Sequence, residues 1–438
     1  MAFDIEPFFA DTGEQPFPSR KATMPWGDSR VFAADKIRQQ WAAISESEAE
    51  KRKRVLYLHI PFCETHCKFC GFYQNRYDAE AAQKYTDFLC REIEQESIKN
   101  VYQKRPIQAV YFGGGTPTAL SAQQLFVILT MLKQAFPLAK DCEITIETRI
   151  SAENKEKLAA CFDGGANRIS IGLQTFDTHI RRSLGRKSSE RQAIDFIEYL
   201  LALDQGAIVC DLLFGLPKQT METLRHDIEL IESLQMDGVD LYALNVLPNT
   251  ILGKAVANNR VTVADFSERA AFYRAGGEQL AQYHWHQISN SHWARGGRER
   301  NLYNLWVKDN ADCLAFGCGA GGNIGRWSFM QQRKLDDYYT QVAMRQKPIA
   351  MLLQRPAYAQ RSALVQGGIE KGTLHCSRLF SKQELATLEP LFEQWQKCGL
   401  CRYLKVNSDF TTLELTTAGR FWASRLLTAL QTFIQSRA

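Results

Sequence analysis

The feature that most restricts this chain is a βα rhythm that begins at Val55. Short β-rich runs, "VLYLHI", "AVYFGG", "EITIET", "RISIGLQ", "AIVCDLLFG" and "GVDLYALNV", alternate with stretches such as "AEAAQKYTDFLCREIEQESI" and "METLRHDIELIESLQ", whose apolar residues fall at helical spacing. Six such units predict an α/β fold, a parallel sheet with helices outside it. A flat doubly wound sheet and a barrel both satisfy the alternation, and periodicity does not choose between them. In either one, functional side chains belong just after the strands, at their C-terminal ends.

Changes in this rhythm divide the chain. Residues 1–53 read as an N-terminal arm with Pro16, Pro18 and Pro25, then a short helix and the charged run "EAEKRKR". Residues 54–265 are the βα core. Residues 266–345, with "QYHWHQISNSHWARGGRERNLYN" and "CLAFGCGAGGNIGRWSFM", are rich in aromatic residues, glycine and arginine and read as strands and loops closing over a site. Residues 346–438 run from the amphipathic "SKQELATLEPLFEQWQKCGL" through the strand-like "FTTLELT" to a last helix from "TAGRFWASRLLTALQTFI". That order resembles a winged-helix module.

Nothing in the charge announces a nucleic-acid partner. The balance is 53 − 48 = +5 over 438 residues, and the C-terminal helices are not markedly basic. The opening "MAFDIEPFFADTGEQPF" is acidic and lacks the apolar stretch of a signal peptide, and no run is long enough to span a bilayer. A soluble cytoplasmic protein is expected. Twelve cysteines in such a compartment point to metal ligation for any clustered subset rather than to disulfides.

One subset is clustered. "HIPFCETHCKFCGFYQN", His59–Asn75, carries Cys63, Cys67 and Cys70 in one loop. This spacing can turn three thiolates towards one inorganic cluster, the ligand set preferred by iron–sulfur centres. A structural zinc site ordinarily takes four protein ligands. His66 is the available fourth, and its place directly before Cys67 suits a relaxed tetrahedron poorly. A cubane held by three cysteines keeps one iron open to another ligand. After the second β-run, "YFGGGTPTAL" (111–120) offers three glycines whose backbone N–H groups can approach a carboxylate or amino group without side-chain collision.

"YLHIPFCETHCKFC" resembles the cluster loop of radical S-adenosylmethionine (SAM) enzymes, particularly the HemN-like branch that contains oxygen-independent coproporphyrinogen III dehydrogenase. The resemblance runs from about Val55 through the C-terminal module. It implies a partial (β/α)6 barrel with a C-terminal α+β winged-helix-like domain. It also implies a [4Fe–4S] cluster on Cys63, Cys67 and Cys70, with SAM at the open iron cleaved reductively to a 5′-deoxyadenosyl radical. Carried over residue by residue, it assigns cofactor contacts to Tyr57, Phe69, Gly114, Gly115, Thr116, Glu147, Gln174, Arg186, Asp211 and Asn245, for two molecules of SAM. Ile324, in "GAGGNIG", aligns loosely and is not counted.

Two departures separate the chain from the dehydrogenase. Phe72 stands where that enzyme carries a further cysteine, and its tyrosine-rich N-terminal segment has no counterpart here. "RKATMPWGDSR", "FCGFYQN", "GGRERNLYN" and "FGCGAGGNIG" resemble the HutW/ChuW group, radical enzymes of anaerobic haem utilisation. The resemblance then implies a C-methyltransferase acting on haem. One SAM supplies the radical, a second supplies the methyl carbon, and the porphyrin opens to a linear tetrapyrrole with release of iron. A flavodoxin- or ferredoxin-type electron donor is implied as partner. The alternatives are oxidative decarboxylation of coproporphyrinogen III and a non-catalytic haem chaperone of the same branch. His284, His286 and His292 can be read as haem ligands, and Arg295, Arg298, Arg300 and Arg326 as propionate partners. Packing and solvation explain them as well, and no role is assigned.

Overall fold

The computed structural model describes residues 3–20, 28–48, 50–407 and 410–437; residues 21–27, most of "RKATMPWGDSR" with Pro25, lie outside the described residues. At its centre are six strands, β1 (Arg54–Ile60), β2 (Ile107–Gly114), β3 (Leu138–Thr148), β4 (Arg168–Gln174), β5 (Ala207–Phe214) and β6 (Gly238–Ala243). Each pairs in parallel with the next. The crossovers carry helices α1 (Ala79–Ser97), α2 (Ala122–Ala135), α3 (Asn154–Asp163), α4 (Glu190–Leu203) and α5 (Met221–Ser233). Local chemistry starts them: Ser121 with Gln124 and Ser189 with Gln192 form reciprocal caps on α2 and α4.

Strand order settles what periodicity left open. A doubly wound sheet reverses its order at a switch point. Here every new strand joins the same side of the last, so the right-handed crossovers curl the sheet into a barrel wall. The sheet order is linear, from the short strand Arg30–Val31 at one edge to β7 (His286–Gln287) at the other, so the barrel is partial.

Residues 266–354 extend both edges of that wall, so the first strand of the expected 346–438 module pairs instead into the barrel sheet. Strand β8 (His292–Ala294) pairs antiparallel with β6 and carries β7 beyond it. Strand β9 (Asp312–Phe316) pairs in parallel with β1, followed by β10 (Gly321–Ile324), β11 (Trp327–Gln331) and β12 (Ile349–Gln354). Between β8 and β9 the chain crosses beneath the N-terminal ends of the core strands. There the N–H groups of Leu302 and Tyr303 donate to the Glu143 carboxylate at 3.1 and 3.3 Å. The Tyr303 ring stacks on Tyr111 (4.5 Å) and Tyr57 (6.1 Å). This segment is the barrel's floor.

The C-terminal part has a three-stranded antiparallel sheet of order β13 (Thr373–His375), β15 (Phe410–Leu415), β14 (Cys401–Asn407), with helices Ala359–Lys371, Lys382–Lys397 and Ala423–Ser436 around it. The N-terminal arm straps onto it: Trp395 Nε1 donates to the Phe8 carbonyl at 3.0 Å, and Phe17 packs on Trp422.

Candidate active site

The cysteine loop starts where β1 ends and is tied shut at its base. Phe62–Cys63 pairs with Asn75–Arg76, and the Tyr77 N–H donates to the Cys63 carbonyl at 2.9 Å. Its middle is pinned from two sides, by Lys68 N–H to the Leu184 carbonyl (3.1 Å) and Leu252 N–H to the Lys68 carbonyl (2.8 Å). Phe69 packs against the apolar cluster of Ile180, Leu184, Leu216, Leu244 and Leu252.

Each sulfur has its own polar neighbour. Cys63 Sγ lies 3.4 Å from Thr116 Oγ1, Cys67 Sγ accepts from Arg149 Nη2 at 3.2 Å, and Cys70 Sγ accepts from the Phe72 N–H at 3.4 Å. Burial pushes the Cys63 thiol up; Thr116 and Arg149 oppose the rise, and the Cys70 and Cys67 sulfurs add to it. The three sulfurs therefore share one electrostatic environment, which three separated structural thiols would not. Among the described residues no three His, Cys, Asp or Glu side chains converge on one metal ion. A cubane does not ask for that, since each thiolate binds a different iron. His66 does not complete a zinc tetrahedron here: its ring stacks on Tyr73 at 4.2 Å and its Nε2 lies 3.4 Å from the Cys70 carbonyl.

The glycine turn is used differently from the expectation. The N–H groups of Gly115 and Thr116 donate to the carbonyls of Ile60 and Phe62, both at 2.8 Å, so they clasp the cysteine loop and are not free for a cofactor carboxylate. Register is the cause: β1 and β2 pair His59 with Gly113 and Ile60 with Gly114, which lays the turn directly beside the loop. Gly114 has φ +106°, and a Cβ there would stand 2.5 Å from the His59 ring. No other residue fits.

The remaining candidates lie along successive strand ends. Glu147, at the end of β3, accepts from the Tyr111 hydroxyl at 2.7 Å, and burial holds its carboxyl above the usual range. Gln174 closes β4 at φ +70° and is 6% exposed, with its Oε1 unpartnered. Arg186, 9% exposed, gives Nη1 to the Gly172 carbonyl at 2.9 Å and leaves Nε unpartnered. Asp211, on β5, is pushed up to about 8 by burial and by the nearby Asp240 and Glu147 carboxylates. Tyr57 places its hydroxyl 3.0 Å from His59 Nδ1. Asn245 sits exposed in the loop after β6.

Buried polar atoms are nearly always satisfied. Gln174 Oε1, Arg186 Nε and His59 Nε2 are not, and all three belong to strand ends or turns at the cysteine side of the barrel. A polar cofactor fits such a lining. Beside it, a cleft of about 380 Å³ runs past Thr65, Thr116, Arg149 and Arg186.

Arg149, Tyr111 and His59 had not been singled out from the sequence. Arg149 follows Glu147 by two positions at the same strand end, which was the available signal.

The later histidines and arginines divide differently. His292 is buried in the floor, with Nδ1 2.7 Å from Asp240 and Nε2 3.0 Å from Glu299, the latter an ion-pair distance off the hydrogen-bond axis. Glu299 also accepts from Arg168 Nε at 2.9 Å. His284 is in a turn (φ +63°) before β7, not on a strand beside His286. Arg298 pairs with Asp204 and Arg300 with Asp141, at the strands' N-terminal side. Arg295 N–H donates to the Asp237 carbonyl just before β6, and Arg326 precedes β11 next to Arg355.

Comparison with known proteins decides the family. The Radical SAM superfamily pattern matches residues 57–231. An anaerobilin synthase of Escherichia coli O157:H7 is 48% identical over 434 residues, covering 99% of this chain and 96% of its own. The chain belongs to the radical SAM superfamily. A haem chaperone HemW of Bacillus subtilis is 30% identical over 272 residues, 61% of this chain and 70% of its own. Among solved structures, the coproporphyrinogen III oxidase HemN of Escherichia coli superposes with a TM-score of 0.76 at 22% identity, covering 95% of this chain and 97% of its own. That likeness establishes the radical SAM fold, barrel and C-terminal module together. Membership brings a [4Fe–4S] cluster and SAM as cofactors, and Cys63, Cys67 and Cys70 are the thiols suited to the cluster. Among the described residues no helix is long and apolar enough to cross a membrane.

Proposed function

We propose that this radical SAM enzyme methylates haem and opens its porphyrin ring without oxygen, yielding a linear tetrapyrrole and free iron. The full-length match at 48% identity to a protein named anaerobilin synthase carries the reading. When bound, the reduced cluster and SAM supply a carbon-centred radical able to attack an otherwise inert macrocycle.

The chain's own groups bind and orient. Cys63, Cys67 and Cys70 hold the cluster, and Arg149 stabilises the negative charge on Cys67. Phe69 and the apolar residues beneath it keep water from the loop's inner side. Arg186 is the cation for a cofactor carboxylate. Asp211, mostly protonated at neutral pH, donates a hydrogen bond to a sugar hydroxyl without adding charge. Tyr57, Gly114, Gly115, Thr116, Glu147, Gln174 and Asn245 complete the lining, for two SAM molecules, one for the radical and one for the transferred carbon. A flavodoxin- or ferredoxin-type protein delivers the electron.

The test is anaerobic. The cluster is reconstituted, SAM, reductant and haem are added, and the Soret band is followed alongside mass spectrometry. Loss of the band with a methylated linear tetrapyrrole and 5′-deoxyadenosine is the expected result. A product without an added methyl, or one SAM consumed per product, overturns the two-cofactor scheme. Bound, unaltered haem with no SAM cleavage replaces the enzyme with a haem carrier.

A further inference from the structure

The arginines that the sequence offered as propionate partners lie at the wrong end of the barrel or beside its outer strands. The mouth has another. Beyond Cys70 the loop turns across the open end, fixed at both sides. At Gly71 a Cβ would stand 2.5 Å from Leu247 Cδ1, in the loop after β6, and the Gln74 amide lies against Gly319, where a Cβ would stand 2.6 Å from Nε2. Residues 71–74 thus bridge from the loop after β6 to the loop between β9 and β10.

Phe72 sits on this bridge. Its backbone N–H is spent on Cys70 Sγ, and its ring is 73% exposed, more than any other large aromatic side chain among the described residues. An ordinary exposed phenylalanine needs no explanation. This one follows the last loop cysteine, with its backbone N–H on the Cys70 sulfur, at the end of the barrel where the chemistry must occur.

A cation stands next to the bridge. The Gly319 N–H donates to the Gln332 carbonyl at 2.7 Å, so Arg333 follows immediately after the residue that anchors the Gln74 contact. Arg333 is exposed, and its charge is felt at both His59, on β1, and Cys318, in the turn after the neighbouring β9. No hydrogen bond or ion pair engages its guanidinium among the described residues, whereas Arg298 and Arg300 are both paired. Beneath it lies His59, 7% exposed, whose ring is close to both Gln74 and Arg333.

We infer that Phe72 and Arg333 form the haem seat: the Phe72 ring stacks on the porphyrin face and the Arg333 guanidinium pairs with a propionate. The inference rests on haem being the substrate and adds which residues recognise it. A flat apolar ring bearing carboxylates matches an exposed aromatic face beside an unpaired cation.

The test titrates haem and haem dimethyl ester into anaerobic, cluster-loaded protein, and follows turnover in parallel. Phe72→Ala is expected to weaken binding of both about tenfold, with Phe72→Trp restoring it. Arg333→Gln is expected to weaken haem binding roughly tenfold and leave the diester unchanged. Iron content and SAM binding stay at the wild-type level in all three. Wild-type affinity for haem in both Phe72→Ala and Arg333→Gln overturns the seat, and if ring opening persists in the wild type the functional reading survives. A wild type that binds no haem overturns both. A Phe72→Ala protein with normal haem affinity but slow reduction by a flavodoxin assigns the ring to the electron donor instead.

Discussion

The two ends of the barrel are built on opposite principles. At the floor, charges are matched inside the protein: Arg168, Glu299, His292 and Asp240 form a continuous buried chain of contacts. The Tyr57–Tyr303–Tyr111 stack lies at the same level. At the mouth, Gln174, Arg186 and His59 each keep a buried polar atom without a partner, and Phe72 projects into solvent. The floor's charges are paired within the chain, although Arg168 Nη2, Asp240 Oδ1 and His292 Nε2 still lack a hydrogen bond. The unpartnered atoms of the mouth carry no such ion-pair network and lie on the side of the cysteine loop, where a bound cofactor would satisfy them.

Substitutions should therefore behave oppositely at the two ends. The largest effect is expected at the cysteines: Cys63→Ser should abolish cluster assembly and SAM cleavage, read as iron and sulfide content and 5′-deoxyadenosine yield. A variant that keeps both would remove Cys63 from the ligand set. At the floor, Glu299→Ala strands Arg168 as a buried cation, leaves His292 only Asp240, and should cost about 3–5 kcal/mol in urea unfolding of the cluster-free protein. A loss below about 1 kcal/mol would mean that the floor relaxes to admit water.

At the mouth the sign reverses. Gln174→Met removes an unsatisfied buried oxygen, so the cluster-free protein should gain roughly 1 kcal/mol while SAM affinity falls. Equal losses of stability and affinity would make Gln174 a structural residue. The smallest effects are in pH. Burial opposes the charge on His292, but Asp240 and Glu299 together outweigh it and hold the ring protonated to about 9, so its contribution is complete below 6.5 and fades as pH rises through 9. The Tm difference between wild type and His292→Asn should narrow by a few degrees over that window. Asp211 is an acid with a raised folded value, so its ionisation weakens the fold as pH climbs from 3.8 to about 8. Asp211→Asn should match wild type at the acidic end and exceed it at pH 8; a variant less stable than wild type at pH 8 would remove Asp211 from the strained end of the comparison.

Those two ends were not equally readable from the residues. The mouth's cysteines fall within one loop, and Glu147 and Gln174 each close a β-rich run, so their role follows from local spacing. The floor depends on Arg168 meeting Glu299 and on Tyr303 meeting Tyr57, contacts between segments more than a hundred residues apart. The glycine turn shows the limit of local reading: three glycines correctly marked a close backbone approach, but the approaching group is the cysteine loop itself.

What the sequence determined by itself is the alternation of strands and helices, the loop that carries three thiols and the strand ends where polar residues collect. Each is fixed by neighbours within a few positions. Periodicity left the sheet flat or curled and only the cysteine-loop resemblance implied a barrel; the curl itself is written in strand order, a non-local property. Tertiary structure also decided which arginine is left unpaired: Arg298, Arg300 and Arg333 are chemically identical, and the path of the chain put the first two among carboxylates and the third directly after the residue that holds the turn at Gly319.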